Sequence, residues 1–374
     1  MGKDSMSAMD LAKMGADTII RKFPAGELPP KNRFHYHQGV FLSGVERTWK
    51  LSGEKKYYDY IKNWIDYYID ENGKIRFDDN ERQFDDMQPA ILLFNLYEKT
   101  KDSRYKKVLD DFAPIVEMWP TNAQGGFWHK YYRQNQMWLD GLYMIGPYAV
   151  MYARHFDKPY FFEKIYRQMN LMRRNMTDPV TGLLYHAWDD SRVIDWADKN
   201  TGLSSEFWGR AIGWYAVALM DILDYIPRQH LRRHEFESAA VDVINALIRF
   251  QDEEAGLWFQ VVDKGGREGN WHEISCSSLY TYSIAKAIKI GLLHSSYSKY
   301  MHKAYEGIKK TLKIESPDLY VNNICIGTGV GDYQFYIDRP RVRNDLHGMG
   351  AFLLMCTEYE DTCKQLSSKK SGEN

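Results

Sequence analysis

No stretch of this 374-residue chain approaches the run of about 18 apolar residues that a membrane-spanning helix needs. Nor is there a basic stripe or polybasic tail. The 49 basic and 50 acidic side chains are well mixed, for a formal net charge of −1. That balance argues against nucleic acid and against an anionic membrane surface as partners. Cysteine is scarce: its four positions (276, 325, 356 and 363) show no CxxC or CxxH spacing, which points to free thiols in a reducing compartment. The opening segment, "MGKDSMSAMDLAKMGADTIIRKF", breaks its apolar residues with charge every few positions and reads as an amphipathic helix, not a secretory leader. A soluble, cytoplasmic protein is expected. GxSxG, P-loop, dinucleotide fingerprint and catalytic-cysteine context are also missing. Without HExxH, and with no converging set of three or four ligands at a recognisable spacing, zinc and other metals are not expected.

Aromatic residues are what the chain has in excess. They make up 15% of it, and eight of its 11 Trp fall between positions 128 and 271. Flat rings cover the apolar C–H faces of sugars, so a carbohydrate cleft is one reading. A large helical core filled with Trp is the other, and composition leaves both open. At 44% apolar content the chain can bury a sizeable core.

A turn motif recurs: a polar turn, then Gly or Asp, then apolar and aromatic residues. It reads "IDENGKIRF" (69–77), "NAQGGFWHK" (122–130), "TDPVTGLLYHAW" (177–188), "DEEAGLWFQVV" (252–262) and, more weakly, "ESPDLYVNN" (315–323). Helices rich in small and aromatic residues are predicted over 35–49, 85–100, 140–156, 207–223, 275–291 and 344–360. Amphipathic helices are predicted near 6–23, 56–70, 103–118, 159–176, 235–251 and 297–314. Six buried helices, each with an outer partner, close naturally into an all-α (α/α)6 barrel, a six-hairpin toroid. An open α-solenoid is the alternative. One domain over 1–364 and a disordered tail over 365–374 are expected. Exposed tyrosines on an outer helix (57, 58 and 60) are compatible with a monomer.

Parallel inner helices gather their N-termini at one mouth, where Asp85, Asp140, Trp208, Arg210 and His347 would face a pocket. Asp85 and Asp140 open neighbouring inner helices. Each reads either as an N-cap or as half of a pair of catalytic acids. Apolar walls would raise their proton affinity and the helix termini would lower it. Asp86 competes with Asp85. Histidines 35, 37, 129, 186 and 347 sit in the same loops, suited to hydrogen-bonding sugar hydroxyls or to the core. In "FWGRAIGWY", Arg210 and Trp214 share a helix face, and a guanidinium between indoles would receive a planar carboxylate. A salt bridge from Arg210 to Glu206 or Asp221 is the plainer reading.

The segments "NRFHYHQGV", "GGFWHK", "QMWLDGLYM", "GLLYHAWD", "FWGRAIGWY", "GLWFQVVDKG" and "NDLHGMGAF" together resemble the unsaturated rhamnogalacturonyl hydrolases of glycoside hydrolase family 105. More distantly, the chain is similar to the unsaturated glucuronyl hydrolases on the same barrel. The resemblance implies hydration of the C4=C5 double bond of a terminal unsaturated galacturonate in a small disaccharide, with release of rhamnose and without metal or organic cofactor. It implies Asp140 in "WLDG" as proton donor and base, and Asp85 in "FDDMQ" as second acid. Tyr36, His129, His186, Trp208, Arg210, Trp214 and His347 would line the sugar subsite. A semi-buried Asp of raised pKa can serve as acid and then base. The leaving group is expected to meet the loops 190–205 and 262–272. A sugar epimerase using His186 or His347, and a non-catalytic sugar-binding protein, are the competing readings.

Overall fold

The computed structural model describes residues 5–77 and 83–372, with side chains described through Ser368. In chain order the first helices are α1 (Ala8–Lys22), α2 (Tyr36–Ser52), α3 (Lys55–Tyr68), α4 (Ile91–Thr100), α5 (Ser103–Glu117) and α6 (Asp140–Phe156). There follow α7 (Tyr160–Met176), α8 (Gly209–Leu223), α9 (Arg233–Ile248), α10 (Ile274–Lys289), α11 (Ser298–Thr311), the short α12 (Tyr333–Ile337) and α13 (Leu346–Gly372). Local sequence sets their ends. Ser7 and Asp10 cap α1 reciprocally, and Gly53 stops α2 in the left-handed region at φ 72°.

Helices α2, α4, α6, α8, α10 and α13 form an inner ring in which each packs on the next and α13 closes back onto α2. Closure makes the fold an (α/α)6 barrel and excludes the open solenoid. The inner helices are buried almost all round: in α6 every side chain from Asp140 to Ala153 is buried. The outer helices bury one face only, as their charge pattern predicts.

Three departures from the sequence reading have physical causes. The second inner helix becomes α-helical only at Ile91; before it come two tight 3-10 turns, Phe84–Asp86 and Gln88–Ala90, the second carrying Pro89. Proline has no N–H to give and favours such an entry, so Asp85 sits in a turn and caps no α-helix. The last helix runs on to Gly372, into the segment expected to be disordered. Tyr57 and Tyr60, expected to be exposed, are buried.

At the end of the barrel away from the inner N-termini, an ionic cluster ties the ring. Lys286 Nζ reaches Asp221 at 2.7 Å and Asp224 at 2.6 Å, and Arg47 lies 3.6 Å from Glu358. Asp221 is thereby committed to Lys286, not to Arg210.

Small residues let α2 and α13 approach closely. A Cβ on Gly350 would lie 2.4 Å from the Val40 carbonyl oxygen, a backbone atom that cannot step aside. Gly350→Ala is therefore expected to destabilise the fold by about 3 kcal/mol or more. Urea unfolding would measure this, and a loss under about 0.5 kcal/mol, the usual size for a neutral site, would refute the packing argument.

Candidate active site

Short antiparallel bridges stitch successive loops together at the mouth. Gln83 pairs with Lys130, and the His129 N–H bonds to the Gln136 carbonyl at 2.7 Å. Strand β1 (Gln136–Trp138) pairs with β2 (Ala187–Asp189), with Trp138 opposite Ala187. The Leu139 N–H then bonds to the His186 carbonyl at 3.1 Å. This register brings the next residue, Asp140, against His186.

Asp140 is the first residue inside α6. Leu139 stands at the cap position, and no side chain caps this end. The N-cap reading of Asp140 is thus set aside. The residue is 9% exposed, with Oδ2 3.2 Å from His186 Nε2 but not aligned for a hydrogen bond. Burial pushes the Asp140 carboxyl up, yet His186 and His129 beside it more than offset that, and it rests below the ordinary carboxylate range. The raised pKa expected from the aromatic setting is corrected by these neighbouring imidazoles.

Asp85 is 5% exposed and lies 2.8 Å from Lys130 Nζ. Burial pushes its carboxyl up, but the Lys130 ammonium dominates with help from His129 and His35, holding it far below the ordinary range. Asp86 faces away, 3.4 Å from Arg33. The structure thus turns Asp85, not Asp86, toward the mouth. His129 stacks on Trp138 at 4.4 Å, and burial pulls its pKa down to about 4 despite Asp85.

Tyr36 is partly exposed, and its hydroxyl lies in the field of Arg210, Asp85, Asp345 and Asp140 together. Trp208 packs on His186 at 4.6 Å and carries the Arg210 guanidinium over its ring at 4.5 Å. These seven expected residues converge. Two others do not enter in the expected way. Trp214 stacks on Tyr143 at 4.7 Å inside the barrel, so Arg210 rests on one indole instead of between two. Arg210 gives hydrogen bonds to the carbonyls of Cys325 (2.5 Å) and Ile326 (2.6 Å), pinning the loop that follows β5 (Ile324–Cys325). His347 is fully buried, with Nε2 3.1 Å from the Cys325 carbonyl and Nδ1 2.7 Å from Asp345.

Three residues of the site escaped the sequence reading. Lys130 and Trp138 stand inside quoted motifs, beside residues that were chosen. Tyr336 carries no local signal. Its Oη lies 2.7 Å from His186 Nδ1 and accepts from the Gly331 N–H at 3.3 Å, while its ring stacks on Trp208 at 5.7 Å. Among the described residues, His37, Asp345 and His347 form a group whose donor atoms lie within 4.8 Å of one another, of a kind able to hold a metal ion. Its members come from opposite ends of the chain, beyond any spacing motif.

Residues 11–363 match the model of Glycosyl Hydrolase Family 88. The chain is 27% identical over 345 residues to the unsaturated rhamnogalacturonyl hydrolase YesR of Bacillus subtilis strain 168, covering 88% of this chain and 90% of that one. Its fold matches the solved structure of a family 105 glycoside hydrolase from C. acetobutylicum ATCC 824 with a TM-score of 0.88 and 33% identity, over 94% and 99% of the two chains. The unsaturated glucuronyl hydrolase of Bacillus sp. GL1 shares the fold with a TM-score of 0.70 at 11% identity, over 94% and 95%.

A buried histidine kept neutral makes the site acid-sensitive. The folded pKa of His129, about 4, lies below the ordinary 6.5, so the unfolded chain takes up the proton first as pH falls. Its contribution is complete above about pH 6.5 and is lost down to about pH 4, up to about 3 kcal/mol. Urea unfolding between these limits is expected to show a shallower pH slope for His129→Gln than for wild type. Equal slopes would contradict the assignment.

Proposed function

The chain belongs to Glycosyl Hydrolase Family 88, and from that membership we propose that it hydrolyses Δ4,5-unsaturated galacturonyl–rhamnose disaccharides from rhamnogalacturonan. The supporting observation is a gathering of buried polar atoms without aligned partners: His129 Nδ1, Asp140 Oδ2 and His186 Nε2. These three atoms stand together at the mouth, where a sugar's hydroxyls would complete their hydrogen bonding. The name of the Bacillus subtilis relative supports the choice of substrate.

In this reading Asp140 protonates C4, and the cation left at C5 is stabilised by the ring oxygen. Water adds at C5 and returns its proton to Asp140. The hemiketal opens, freeing rhamnose and leaving a 5-keto-4-deoxyuronate; one water is consumed and no cofactor takes part. Asp85 cannot be the donor, because Lys130 keeps it ionised, so it serves as a hydrogen-bond acceptor for sugar hydroxyls. Asp140 gains its proton when substrate displaces water and sets a second carboxylate nearby, both of which raise its pKa. Tyr36, His129, Trp208 and Arg210 line the sugar; Trp214 and His347 back the wall from behind.

An epimerase would need a histidine free to exchange protons with substrate. His347 is fully buried with Nε2 on the Cys325 carbonyl, which speaks against it in that role. Asp140→Asn is expected to lower kcat by about 10² to 10⁴-fold, read as slower loss of the double bond's ultraviolet absorbance, with the fold intact. Undiminished turnover would remove Asp140 as the donor.

A further inference from the structure

A cleft of about 860 Å³ opens beside the mouth, between the end of α1, the 29–33 loop, the hairpin of β3 (Lys313–Glu315) and β4 (Asp318–Tyr320), and the start of α13. His35, His37 and Asp345 line it, and the two histidines pack on either side of Tyr36, so the cleft adjoins the site. Its size accommodates more than one sugar ring, in the range of pockets that enclose extended ligands. The loops 190–205 and 262–272, expected to meet the leaving group, do not line it.

The charges of the cleft do not balance. Arg21, Lys22, Arg33 and Arg343 face it against two carboxylates, Asp318 and Asp345. Both acids are already engaged, Asp318 by Arg21 at 2.6 Å and Asp345 by His347 at 2.7 Å. Arg33 lies 3.4 Å from Asp86. Lys22 and Arg343 instead lie over aromatic rings, Lys22 Nζ 5.4 Å from that of Phe23 and the Arg343 guanidinium 4.8 Å from that of Tyr320. Neither has a carboxylate within 4 Å among the described residues. A neutral deoxysugar gains nothing from that surplus, whereas an anion does, and a guanidinium steadied on a ring suits a carboxylate or sulfate.

We propose that this cleft binds the part of the substrate beyond the cleaved bond, and that this part is anionic, bearing a uronate carboxylate or a sulfate ester held by Arg343 and Lys22. The proposal rests on the hydrolase reading above and extends it from a disaccharide whose leaving sugar is neutral to a substrate whose leaving part is charged.

The test compares wild type with the double variant Lys22→Gln/Arg343→Gln on three substrates, by loss of double-bond absorbance. They are the neutral-aglycone disaccharide unsaturated galacturonyl–rhamnose, the tetrasaccharide that adds one more galacturonyl–rhamnose unit, and the disaccharide sulfated on rhamnose. At low salt a substrate with an anionic leaving part is expected to exceed the one with a neutral leaving sugar in kcat/KM by about tenfold, and the variant to lose about tenfold on the former but under about twofold on the latter. The advantage should shrink as salt rises. Preference for the tetrasaccharide identifies a carboxylate and preference for the sulfated disaccharide a sulfate. Equal kcat/KM on all three, or an equal loss on the neutral substrate, overturns the cleft proposal and leaves the hydrolase reading standing. No absorbance loss with any substrate overturns the hydrolase reading. In that case, calorimetric binding of either anionic sugar that the variant abolishes upholds an anion site, and its absence overturns that too.

Discussion

The site depends on one backbone hydrogen bond between two loops, from the Leu139 N–H to the His186 carbonyl. It extends the β1–β2 ladder by one step and fixes which way each following side chain faces. A slip of one residue would turn every side chain of the ladder to its other face. In the observed register, Trp138 covers His129 and Asp140 meets His186. The packing of α6 on α8 makes this pairing possible, because it sets the loops before the two helices side by side at one end of the barrel.

Within that frame, two carboxylates are both held below the ordinary range, but by different neighbours. Lys130 supplies Asp85 with a full positive charge at ion-pair distance, and no accessible pH in the neutral range protonates it. Asp140 has only imidazoles and its own helix terminus, softer influences that a bound anion and the loss of water can reverse. That difference in what holds each acid divides labour between a proton carrier and a fixed charge. Tyr336 stands behind this arrangement: its hydroxyl holds His186 Nδ1 at hydrogen-bond distance while its ring supports Trp208.

Most of the barrel was legible because an inner helix and an outer helix differ in composition along their whole length. "DGLYMIGPYAVMYARHF" can only be buried, whereas α7, with charge at regular intervals, can only be one-sided. Boundaries set by tertiary fit were less legible. Asp85 lies in a 3-10 turn because Pro89 and the Gln83–Lys130 bridge reshape the entry to α4, and neither is visible as periodicity. The site was half legible. Residues in aromatic-rich motifs were found, but Tyr336 meets its partner across 150 residues, and Lys130 matters only because Gln83 brings Asp85 to it. The reading of Arg210 as a carboxylate receptor missed its backbone partners for the same reason: Cys325 and Ile326 come from a loop more than a hundred residues away.

The claim at the centre is that a carboxylate fixed in one place delivers a proton to C4 of an unsaturated uronide. Turnover in D₂O, followed by NMR from its first minutes, tests it directly. The account predicts one deuterium at C4 of the released uronate, on a single face of the ring. An intact double bond with no deuterium at C4, as cleavage at the anomeric carbon would leave, or deuterium on both faces from the outset, would contradict it.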